Sequence, residues 1–137
     1  MVRRNWLGLV LCCWWLPVLA QGSAGVGVDD VWGQLQSDGT IAIYMTLTSK
    51  SGNRLIGMSS PVAGRIELKT HVTVRSVLQT RPVAGIDLPA GMKIRLEPGG
   101  LHAMLLDVNR PLTRGQLIPL TLRFLQGDEV NLRVALR

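Results

Sequence analysis

The residues with the clearest chemical potential are His102 and Met104, in the run Pro98-Gly99-Gly100-Leu101-His102-Ala103-Met104-Leu105-Leu106-Asp107. They stand two positions apart, and nowhere else in the chain do a His and a Met lie so close. On a strand over residues 101–108, alternate side chains share a face, so imidazole and thioether would point the same way. Their Cα atoms would then lie roughly 6.5–7 Å apart, within reach of one ion. A nitrogen donor beside a soft sulfur suits copper, whereas calcium and magnesium want oxygen. The bland alternative is an exposed strand histidine next to a methionine that fills the core.

For that geometry the chain must be built of strands, and its patterning predicts that it is. No segment sustains a helical stripe for ten residues, whereas period-2 alternation recurs throughout. Strands are expected over 26–36, 40–48, 54–58, 65–77, 92–97, 101–108, 116–126 and 130–137, with 81–89 a loop or weak strand. Ile41, Ile43, Met45 and Leu47 share one face of the second strand. Ile66, Leu68, Thr70, Val72 and Val74 share one face of the fourth, and Arg65, Glu67, Lys69, His71 and Thr73 the other. Val130, Leu132, Val134 and Leu136 form an inward row at the end. Turn signals such as Ser37-Asp38-Gly39, Gly52-Asn53 and Gly127-Asp128 separate these runs at the spacing of a sandwich. The reading is a single all-β domain, a Greek-key β-sandwich.

Residues 1–20 read as a secretory signal peptide, with Arg3 and Arg4, an apolar stretch over 6–16, and Val18-Leu19-Ala20 before Gln21. Ala24 is a second candidate cleavage point. The segment is too short and wrongly flanked for a membrane span. Val10-Leu11 precede Cys12 where a lipidation signal wants small residues, so cleavage without lipidation is expected. Both cysteines, Cys12 and Cys13, leave with the signal, and the domain over 21–137 then has no thiolate for metal, disulfide or redox work. The destination expected is the periplasm.

The formal charge is +6 for the whole chain and +4 once Arg3 and Arg4 leave with the signal, and the remaining basic residues are scattered singly rather than interleaved with aromatics. That argues against a nucleic-acid surface. There is no G-x-S-x-G, P-loop, dinucleotide fingerprint or H-E-x-x-H. Two histidines and no mature cysteine exclude a Cys–His nucleophile, and no spacing supports a Ser–His–Asp set. The chain is read as a non-enzyme.

The chain resembles the periplasmic copper chaperone family written PCu(A)C, over nearly all of the mature sequence. The resemblance rests on Ala42-Ile43-Tyr44-Met45-Thr46-Leu47, Arg54-Leu55-Ile56-Gly57-Met58-Ser59-Ser60-Pro61-Val62-Ala63, Glu67-Leu68, Arg81-Pro82-Val83, Leu88-Pro89-Ala90-Gly91, residues 96–105, and Pro119-Leu120-Thr121-Leu122-Arg123-Phe124. It implies a cupredoxin-like sandwich that carries copper, Cu(I) in preference to Cu(II), at one surface site. The partner implied is a copper-accepting respiratory oxidase subunit or another copper chaperone.

The family's ligand pattern is H-x10-M-x21-H-x-M. His102 and Met104 match its second half. Counting back puts Thr80 at the position of the first Met and Lys69 at that of the first His. Lysine binds copper only as a neutral amine, and threonine offers a hard, weak oxygen. His71, on the same strand face as Lys69, is the substitute expected. The candidate metal set is therefore His71, His102 and Met104, while Met45, Met58 and Met92 are read as core or rim packing. The rival reading is a domain of the same fold that has lost tight copper binding and serves as an assembly or interaction module.

Overall fold

A computed structural model describes residues 25–137; the expected signal peptide and both cysteines lie outside the described residues. Ten strands follow one another, and no helix occurs among the described residues. They are β1 (Val26–Leu35), β2 (Ile41–Ser49), β3 (Asn53–Ser59), β4 (Ala63–Val74), β5 (Val77–Pro82), β6 (Ile86–Leu88), β7 (Lys93–Leu96), β8 (His102–Val108), β9 (Leu117–Phe124) and β10 (Val130–Ala135).

Two antiparallel sheets face each other. The larger runs β1-β2-β8-β4-β5, with β7 also paired to β2; the smaller runs β10-β9-β3-β6. The crossovers that place β8 between β2 and β4, and β9 beside β3, make this the expected β-sandwich. Alternation decides what fills it. Ile41, Ile43, Met45 and Leu47 are all at most 1 % exposed, and they pack in one cluster with Leu55 of β3, the Ile118, Leu120 and Leu122 row of β9, and Val134 and Leu136 of the last strand region. Burying a side chain of this size contributes about 1.5–3 kcal/mol, so this paired row is the chief support of a domain with no disulfide. Gly33 lets the two sheets meet at one corner. A Cβ there would lie 2.9 Å from Leu136 Cδ2 and 3.1 Å from Ile43 Cδ1, and Gly33 bridges directly to Leu136.

The structure corrects the expected strand over 65–77. The chain reverses at Arg75 and Ser76, both in the left-handed region (φ 51° and 62°), and returns as β5. Neither residue is a turn signal of the Gly, Asn or Asp kind, so alternation ran unbroken through the bend. The residues read as a loop or weak strand over 81–89 resolve into the end of β5 and the short β6. The β4 face of Ile66, Leu68, Thr70, Val72 and Val74 is fully buried only at Leu68. The reason is register. Pairing of β4 with β8 ends at Lys69↔His102, while pairing with β5 continues from Lys69↔Pro82 to Val74↔Val77. The β4–β5 hairpin thus overhangs the sandwich by half its length, and every residue of β5 is exposed. Met45 and Met58 are buried as expected, but Met92 is 54 % exposed beside a left-handed glycine turn.

Candidate metal-binding site

The outer face of the larger sheet is built by the other half of each alternation. On β8, Ala103 and Leu105 point into the core at 0 % exposure, which turns His102 and Met104 outward together. On β4, Lys69 sits directly opposite His102, and His71, two residues on, sits opposite Thr80 of β5. On β2, Tyr44 takes the outward position between Ile43 and Met45. These strands enclose an open cavity of about 320 Å³ lined by Gln36, Tyr44, Lys69, His71, Thr80, Gly99, His102 and Met104.

All three residues of the expected donor set therefore line one cavity, and so do Lys69 and Thr80. The four positions of the family pattern converge, with two of them carrying non-soft side chains. His102 is not an exposed strand histidine, being 7 % exposed. Met104 is half-buried on the outer face and takes no part in the core cluster.

The histidines are held by different means. His102 Nδ1 lies 2.9 Å from the Gly100 carbonyl oxygen. A carbonyl can only accept, so Nδ1 carries a proton, and the tautomer this favours is the one with its lone pair on Nε2. This outer-shell bond orients a ligating imidazole in the way metal sites use. The Pro98-Gly99-Gly100 turn supplies it, with Gly99 at φ 83° and Gly100 N–H donating to Glu97 O at 3.0 Å. His71 Nδ1 lies 3.3 Å from the Thr80 hydroxyl, a side-chain contact. The two imidazoles lie nearly parallel, 5.3 Å between centroids.

A row of rings continues from the pair across the outer face toward the edge strand β1. Tyr44 is 6.5 Å from His102, Trp32 is 4.7 Å from Tyr44, and the Arg137 guanidinium lies 4.7 Å from the Trp32 centroid. Burial pushes the Tyr44 hydroxyl up from its ordinary value, so it lines the cavity as a neutral group. The charged lining residue is Lys69, whose Nζ is 3.5 Å from Glu67 Oε2. Glu67 is shared, since Arg65 Nη1 lies 3.7 Å from its other oxygen.

Chemically, the arrangement offers two imidazole nitrogens and one thioether. Among the described residues no three His, Cys, Asp or Glu side chains gather as a metal site, so the set reaches three donors only by counting sulfur. That composition fits a soft ion such as Cu(I) and not a hard cation. Tyr44, Gln36 and Gly99 were missed as lining residues by sequence reasoning. Tyr44 had a signal, as a lone aromatic on the face opposite Ile41, Ile43 and Met45. Gln36 follows β1, which only the sheet order brings near, whereas Gly99 stands in the turn just before His102.

The two-sheet frame is the fold seen in PCuAC domains. Solved structures similar to it include the apo PCuAC domain from PmoF1, with a TM-score of 0.69, 22 % identity, and 82 % of this chain and 93 % of that one covered. The copper-bound PCuAC domain from PmoF2 follows at a TM-score of 0.67 and 21 % identity, with 82 % and 92 % covered. The solution structure of CuI-DR1885 from Deinococcus radiodurans matches at a TM-score of 0.57 and 26 % identity, with 82 % and 76 % covered. In sequence, the family described as "Putative lipoprotein LpqE-like" matches residues 26–136, and the chain belongs to that LpqE-like family. It is also 33 % identical over 129 residues to "Putative lipoprotein Lxx21020" of Leifsonia xyli subsp. xyli (strain CTCB07), covering 89 % of this chain and 78 % of that protein.

Proposed function

We propose that the protein is an exported copper carrier that holds Cu(I) between His71, His102 and Met104 and passes it to a partner. The observation that supports this most is the convergence of those three side chains on one open cavity, with His102 already oriented by Gly100. Two structural neighbours, the copper-bound PCuAC domain from PmoF2 and CuI-DR1885, point the same way. The three side chains lie on the outer face of the larger sheet, apart from the apolar core, which fits an ion that is cargo and not a structural support. Three donors at a shallow site favour ligand exchange over storage. The reaction is transfer, with no bond made or broken in a substrate, and the residues act as donors and not as catalysts. A copper-accepting respiratory oxidase subunit, or another copper chaperone, is the partner proposed.

Export to the periplasm rests on the layout of residues 1–20 and agrees with the lipoprotein description of the family. No helix among the described residues is long and apolar enough to cross a membrane. Cleavage at Ala20 leaves Gln21 first, whereas an anchored form would retain an acylated Cys12 or Cys13; intact mass of the exported protein separates the two.

The rival reading, an interaction module without tight copper binding, is favoured by one specific observation. Lys69 and Thr80 occupy two positions of the cavity where the pattern of the resembled copper chaperone family has His and Met. Titration of the purified domain with Cu(I) against a competing chelator decides between them. The carrier reading expects one ion per domain, and tighter binding in a Lys69→His, Thr80→Met variant. Absence of binding in both proteins would leave the module reading.

A further inference from the structure

The cavity holds an imbalance of charge that its three neutral donors do not resolve. Two imidazoles and a thioether leave a bound Cu(I) with its full positive charge. Lys69, only 24 % exposed in its side chain, adds a second positive charge to the same lining. No carboxylate lines the cavity. Glu67 approaches Lys69 along its own strand from outside the lining, while Arg65 is shared between Glu67 and Asp107. Glu67 offsets the lysine alone, so the positive charge of a bound ion in this partly desolvated space has no anion of its own. A cavity of about 320 Å³ also exceeds the room one bare ion needs. The cuprous ion accepts soft anionic donors readily.

Resting on the copper reading above, we propose that the cavity takes a soft monoanion, a halide or a small thiolate, as a fourth donor to copper, with Lys69 as its counter-charge. The Lys69 substitution then changes the source of the fourth ligand from the chain to the solvent. It couples loading to the availability of that anion. Release of the anion leaves a three-donor ion facing a lysine, which is the state poised to move on.

The test loads the exported domain with Cu(I) in sodium bromide and in sodium nitrate, for wild type, Lys69→Leu and Lys69→Arg, with circular dichroism confirming that each is folded. X-ray absorption at the copper edge should show bromine in the copper shell of wild type and Lys69→Arg, and not of Lys69→Leu. Bromide should raise the apparent Cu(I) affinity of wild type about tenfold over that of Lys69→Leu, a modest allosteric-scale coupling. Native mass spectrometry with 2-mercaptoethanol supplies the thiolate arm, in which wild type should carry one copper plus one thiolate. Either arm positive with dependence on Lys69 supports the proposal and says which anion serves. Copper bound with an unchanged shell in all media, or an anion retained equally by Lys69→Leu, overturns it and leaves the copper reading standing. No copper bound in any medium overturns both.

Discussion

The two sides of the cavity are built to different standards. The β8 side lies in the middle of the larger sheet, paired to β2 and β4, with buried Ala103 and Leu105 alternating with its donors. His102 is nearly enclosed there, with its tautomer set by a backbone carbonyl. The other side, His71 and Thr80, lies where β4 has already outrun β8 and pairs only with an exposed edge strand. A two-stranded ribbon without further support is marginally stable. The difference teaches that a ligand position is only as well ordered as the sheet beneath it. The β8 donors come with the core, while the hairpin donors depend on a local fold.

Substitutions can break or sharpen that contrast. The largest effect is expected from His102→Ala, which removes the oriented donor and should abolish Cu(I) binding in chelator competition without unfolding the domain. Equal loss from His71→Ala would show that the two sides do not differ. Next, Leu122→Ala in the core row should lower stability by about 2–5 kcal/mol, read by urea denaturation. The metal-free wild type should be folded in the same assay, placing stability outside both sides of the site. His71→Ala should weaken Cu(I) by about tenfold, or roughly 1.4 kcal/mol, since its imidazole has no backbone anchor. The smallest effect concerns Ser49, fully buried with its hydroxyl unpartnered. Ser49→Ala removes an unsatisfied polar atom, so thermal stability should hold or rise by up to about 1 kcal/mol.

Alternation carried most of the fold, because a half-buried strand must place its apolar side chains two apart. It placed Ile41, Ile43, Met45 and Leu47 on the inner face, and from the same period it turned His102 and Met104 outward together. It failed at Arg75-Ser76, where both residues take positive φ without a Gly, Asn or Asp to signal it and the alternating pattern runs on. That one miss concealed β5, and with it the pairing of His71 with Thr80. The convergence of positions 69, 80, 102 and 104 was suggested by resemblance alone; the strand register shows why they meet. Tyr44 and Gln36 escaped because sheet order, which local pattern does not encode, decides which outward faces are neighbours.

The Arg75-Ser76 bend has a kinetic meaning. Two successive non-glycine residues at positive φ each cost on the order of 1–3 kcal/mol, and here that strain sits at the tip of the part of the sheet with the least support. Local opening draws on the least stable segments first. The hairpin should therefore open and close far more often than the sandwich unfolds, lifting His71 and Thr80 away while His102 and Met104 stay in place. Dissociation would then proceed one donor at a time from a fixed side, leaving an ion held by two groups and open to an incoming ligand. If copper is the cargo, its residence time is set at a turn that never touches it.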